Sequence, residues 1–121
     1  MKFSGIVKKY SGRGKKLGFP TANIEAPKSL EDGLYVGWTD GKPSLIFVGV
    51  NETFNETDRR AEVYILDFDQ DLYEKQIQVE ILKKIREVRK FDSKGALIEQ
   101  MKQDEEVARE FFKRYNQRNI D

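Results

Sequence analysis

The chain has 121 residues, 22 of them Lys or Arg and 21 Asp or Glu, for a formal net charge of +1. That length suits one domain with one modest core, and near-neutrality leaves any affinity for polyanions to a local patch. Cysteine and histidine are both absent, which excludes disulfides, thiolate nucleophiles, Ser-His-Asp relays and His/Cys metal sites. A carboxylate is then the first choice for a general base, with Lys or Tyr behind it, and a metal site would use oxygen ligands suited to magnesium-like or calcium-like ions.

Apolar residues make up 38% and charged residues 36%, the balance of a globular protein with a heavily charged surface. "KFSGIVKK" reads as a short strand. "SGRGKKLGFPTANIEAP" follows, with glycines and lysines in its first half. "GLYVGWTDGKPSLIFVGV" predicts a hairpin, two apolar runs around Asp40-Gly41, the strongest short turn signal. "AEVYILDF" and "QIQVEILKKI" are the next strands, and "DQDLYEK" joins them tightly. In the second, Ile77, Val79, Ile81 and Ile85 share one parity, so they should share one face.

No linker among these strands is long enough for a helical crossover, which predicts an antiparallel sheet closing into a barrel or sandwich. The end changes character. After Ser93, a reasonable N-cap, Leu97, Met101, Ala108, Phe111, Phe112 and Tyr115 recur at helical spacing. This predicts a helix over about 93–116, broken near Asp104, packed on the sheet. No apolar run approaches a membrane span and the start "MKFSGIVKKYSG" lacks the apolar core of a signal peptide. The expectation is a cytoplasmic monomer with no membrane partner.

In the opening stretch, Gly12-Arg13-Gly14 permits backbone N–H groups to approach an anion, and Lys15 and Lys16 add charge. Thr21 and Asn23 lie two apart, so in extended backbone they point the same way and offer two oxygens to one hard cation. A solvated surface loop explains the same residues, and on chemistry alone that plainer reading leads. The stretch is neither a Walker A loop nor a dinucleotide fingerprint.

The full string "GRGKKLGFPTANI" resembles the signature of the riboflavin kinase family, the ATP-dependent bacterial and eukaryotic type. "GLYVGW", "VGVNETFN", "AEVYILDFDQDLYEKQIQV" and "IREVRKFDS" are similar to further family blocks, in order along nearly the whole chain. The resemblance implies one riboflavin kinase-like domain over 1–121: a six-stranded antiparallel Greek-key β-barrel over about 1–91, then a C-terminal α-helix. It implies transfer of the γ-phosphoryl group of ATP to the ribityl 5′-hydroxyl of riboflavin, giving FMN and ADP, with Mg2+ as cofactor. The FAD-forming domain of the bifunctional bacterial enzymes is not expected in this length.

By the same resemblance, Thr21 and Asn23 match the magnesium ligands, Thr21 with the nucleotide as well. Gly12, Gly14 and Lys16 match the phosphate loop, and Glu62 the catalytic carboxylate. Ile65, Asp67 and Tyr73 fall at the nucleotide, and Arg86, Arg89 and Phe91 at the flavin. Read without the resemblance, Glu62 is an ordinary charge at a strand start beside Arg59 and Arg60, Phe91 a core residue, and Arg86 and Arg89 a solvated strand end. Tyr10, Glu52, Tyr64, Glu74 and Val88 depart from the family pattern; none is a proposed metal ligand or base. The alternative function is a non-catalytic flavin or nucleotide binder on the same barrel. A nucleic-acid-binding barrel, suggested by the basic cluster Lys8, Lys9, Arg13, Lys15 and Lys16, is disfavoured by the near-zero net charge and the lack of an alternating basic-aromatic strand.

Overall fold

A computed structural model describes residues 1–8, 20–50 and 58–118. Six strands run in the order β1 (Lys2–Ile6), β2 (Ala22–Ile24), β3 (Gly33–Thr39), β4 (Lys42–Gly49), β5 (Arg60–Ile65) and β6 (Gln76–Arg86), followed by one helix, α1 (Lys94–Arg118). They form a single sheet ordered β1-β6-β3-β4-β5-β2, antiparallel at every pairing. β3, β4 and β5 are consecutive neighbours and β6 returns beside β3, which is a Greek key. A bridge between Lys8 and Asn23 brings the continuation of β1 to β2 and nearly closes the barrel.

The β3–β4 hairpin turns at Asp40 and Gly41, with φ of 48° and 79°. Two positive φ angles are what a tight type I′ turn requires, and Asp and Gly tolerate them best. The Asp40 carboxylate then accepts from the Gln78 N–H at 3.0 Å, fastening the turn to β6.

Strand alternation divides the apolar residues into two clusters. Ile24, Tyr35, Ile46, Val48, Ala61, Val63, Ile77 and Val79 fill the barrel. Leu34, Val36, Leu45 and Leu66 lie on its outer face, where Ala108 and Phe112 of α1 cover them. Ile85 belongs to this outer cluster rather than to the face of Ile77 and Val79. The shared parity expected for the four β6 residues therefore fails at its end. The β3–β6 register shifts between Val36 and Gly37 and again between Leu34 and Tyr35, and each extra residue in a bulge reverses the faces beyond it.

Helix α1 begins where Ser93 caps it, the hydroxyl accepting from the Ala96 N–H at 3.1 Å. It continues unbroken through Asp104 to Arg118, so the expected break is absent. Asp104 is buried, with 4% of its surface exposed, in line with Leu97 and Ala108. An acid on the apolar stripe is tolerated because Arg86 of β6 neutralises it, with Nη2 2.7 Å from Oδ2.

Candidate active site

Strand pairing sets the site. Asn23 of β2 lies opposite Glu62 of β5, Glu62 opposite Phe47, Phe47 opposite Leu34, and Leu34 opposite Arg86. Residues directly opposite in an antiparallel pair project from the same face, with Cβ atoms about 5 Å apart. One row across the outer face of the barrel thus carries three of the residues singled out in the sequence: Asn23 and Glu62 as neighbours, and Arg86 three strands from Glu62.

Asn23 is 8% exposed and its side-chain oxygen has no hydrogen-bond partner among the described residues. A buried, unpartnered amide oxygen is costly unless something outside the chain takes it up. It is an acceptor of the kind that ligates a hard cation. Glu62 is largely buried, its carboxyl side chain 18% exposed, and Arg60 from the same strand donates to Oε1 at 3.2 Å. Arg60 is itself buried. The strand alternation that aims Glu62 outward also aims Arg60 and Tyr64 there.

A small cleft of about 80 Å³, lined by Thr21, Val63, Ile65, Phe68, Asp69 and Leu72, among others, draws most of its apolar wall from the residues that fill the barrel. It brings Thr21 and Ile65 together. Asp67 and Tyr73 are not in its wall. Asp67 sits at φ 58°, a left-handed conformation that Asp adopts more readily than most residues. Its two oxygens accept from Arg109 of α1 at 2.9 and 3.0 Å, and this contact holds its carboxyl below the usual carboxylate range. Tyr73 is exposed. Gly12, Gly14 and Lys16 lie outside the described residues.

At the other end of the row, the Arg89 guanidinium stands 5.1 Å and that of Arg86 6.0 Å from the centre of the Phe91 ring. Phe91 is buried. Asp104 and Gln100 of α1 complete the group: Gln100 donates to Asp104 at 3.0 Å and accepts from Arg89 at 3.3 Å. Neither residue is evident in the sequence as a site residue. An acid on a helical apolar stripe is the one available signal. Tyr64 donates to Glu105 at 2.6 Å; burial first, and this carboxylate second, push its hydroxyl up to about 12.

Among the described residues no three Asp or Glu side chains gather at one point, so a cation here would rely on neutral oxygens, a single carboxylate and ligand phosphates. Among the described residues no helix is long and apolar enough to cross a membrane.

The described residues thus form a small, nearly closed antiparallel barrel with an outer helix, bearing an amide oxygen and a carboxylate side by side. The chain matches the family model Flavokinase, described as riboflavin kinase, over residues 1–112, and it belongs to that family. It is 40% identical over 115 residues to the "Trifunctional protein RibF/MnmA" of Mycoplasmoides gallisepticum, covering 89% of this chain and 18% of that protein. It is 32% identical over 137 residues to the "Riboflavin kinase" of Pyricularia oryzae, covering 89% of this chain and 68% of the other. The solved riboflavin kinase of Trypanosoma brucei shares the fold, with a TM-score of 0.68 at 24% identity over 93% of this chain and 79% of that one.

Proposed function

We propose that the protein phosphorylates riboflavin, transferring the γ-phosphoryl group of ATP to the ribityl 5′-hydroxyl to give FMN and ADP. The observation that carries this reading is the pairing of Asn23 with Glu62: a metal-type oxygen with no partner among the described residues stands one strand from a largely buried carboxylate. Phosphoryl transfer asks for little else than positioning, charge neutralisation and a group that takes the alcohol's proton.

Thr21 and Asn23 would hold Mg2+, which when bound supplies charge neutralisation on the phosphates. Glu62 Oε atoms would accept the proton of the 5′-hydroxyl, with Arg60 fixing the carboxyl's rotamer through the 3.2 Å contact. The cleft at Ile65 and Leu72 would offer an apolar wall to the nucleotide base, and the resemblance gives its phosphates to Gly12, Gly14 and Lys16. Arg86, Arg89 and Phe91 form the flavin face. Asp67 and Tyr73 stand outside the cleft wall, and with its carboxylate engaged by Arg109, Asp67 would meet the nucleotide only through its backbone.

The experiment is FMN formation from riboflavin, ATP and Mg2+ by the natural chain and by Glu62→Gln. Product from the first, falling about a hundredfold or more in the second, is expected of a general base. Equal rates would remove Glu62 from that role. Absence of FMN, with riboflavin still bound, would point to the non-catalytic binder.

A further inference from the structure

Two arginines face Phe91, but their guanidinium groups are not equally available. Arg86 uses all three of its nitrogens inside the protein. Nε and Nη2 donate to the two oxygens of Asp104 at 2.8 and 2.7 Å, and Nη1 donates to the Glu87 carbonyl at 3.1 Å. Its side chain is 19% exposed and that of Asp104 is 6% exposed. The Nε–Nη2 side of this fork is closed on a buried carboxylate, which leaves two of the five guanidinium N–H groups, one on Nη1 and one on Nη2, for any other acceptor. Among the described residues Arg89 makes one side-chain hydrogen bond, a long one to Gln100 at 3.3 Å, and its guanidinium lies nearer the Phe91 ring.

Resting on the flavin reading above, we propose that Arg86 and Arg89 have different tasks. Arg86, locked by Asp104 of α1, is a positioning residue that buttresses Phe91. Arg89, steered by Gln100, is the cation that meets the flavin. Gln100 joins the two, because its amide donates to Asp104 while its oxygen receives Arg89. The helix thereby sets the direction of a side chain on the segment between β6 and itself, and a residue that never touches substrate determines affinity for it.

The discriminating variant replaces the buried pair as a unit. Exchanging a buried ion pair for apolar residues of similar volume is often neutral or stabilising, whereas removing one partner strands the other's charge. In the double variant Arg86→Met/Asp104→Leu the buttress survives as packing. Riboflavin affinity, read by quenching of flavin fluorescence without ATP, should fall only a few-fold, through the lost Gln100–Asp104 contact, and so by clearly less than in Arg89→Met. Arg89→Met should weaken it about tenfold or more, the worth of one charge-assisted contact. Gln100→Leu should raise KM for riboflavin several-fold while kcat and KM for ATP stay unchanged; if Gln100→Leu changes nothing, the steering of Arg89 is refuted.

If Arg86→Met/Asp104→Leu, with its melting transition intact, loses riboflavin as severely as Arg89→Met, Arg86 itself contacts the flavin and the division of tasks is wrong. If the double variant instead fails to fold, Arg86→Lys decides. A lysine keeps the charge and lacks the fork, so unchanged riboflavin affinity with a lowered melting midpoint supports a buttress, and a tenfold loss refutes it. If the natural chain itself binds no riboflavin, the flavin reading falls and this proposal falls with it, an outcome distinct from the others.

Discussion

Asn23 and Glu62 are two ordinary polar residues that pairing makes unusual. Asn23→Ala deletes a buried oxygen that has no partner among the described residues, so it should cost little stability. It should raise the Mg2+ concentration needed for half-maximal activity at least about tenfold, as even outer-shell partners of a metal do. A titration of rate against Mg2+ reads this; an unchanged midpoint would remove Asn23 from the metal. Tyr64 gives a pH signature. Its folded pKa is raised from 10.0 to about 12, so between those values the folded state retains a proton that the unfolded state has lost. Stability attributable to Tyr64 is therefore full below pH 10 and lost as pH rises through about 12. Melting midpoints at pH 9 and pH 11 should fall further for the natural chain than for Tyr64→Phe, because the lysines common to both cancel.

At the scale of elements, β3 and β6 approach more closely than side chains allow. A Cβ at Gly37 would lie 2.0 Å from the Glu80 carbonyl oxygen, which is backbone and cannot swing aside. Gly37→Ala should destabilise by about 1–3 kcal/mol, and a denaturant midpoint indistinguishable from the natural chain's would show that the bulge there can open. These elements also mark what the sequence reveals and what it conceals. The Asp40-Gly41 hairpin and the Ser93 cap are legible because each depends on residues within a few positions of each other. β2 is only three residues long, too short to carry a period. Its extended form and its partner come from β5, almost forty positions away. The β6 bulges leave no local trace, and they move Ile85 to the other face. Asp104 looks like a helix break because its partner, Arg86, lies 18 residues earlier. The family motifs indicate which residues to watch, whereas the spatial separation of Asp67 and Tyr73 from the cleft wall appears only in three dimensions.

For the whole molecule, closing the barrel and assembling the site are one event. Ile24, fully buried, holds β2 against β5, and Asn23 precedes it. Ile24→Ala should cost about 2–5 kcal/mol and should lower activity per folded molecule as well, with Mg2+ dependence shifted in the same direction as in Asn23→Ala. Stability lost without that shift would mean that β2 holds its register by its backbone alone. The three-residue strand also faces a problem of proofreading. A slide by two positions keeps every side chain on its own face, so alternation does not forbid it. One such slide would set Glu25 against Glu62, two carboxylates where an amide belongs; the other would set Thr21 there. In either case Ile24's place in the barrel would fall to Ala22 or Ala26, leaving a void. The bulk of one isoleucine between two alanines is thus a ratchet tooth, and the chain selects the alignment that holds metal by a criterion of volume that has no knowledge of the metal.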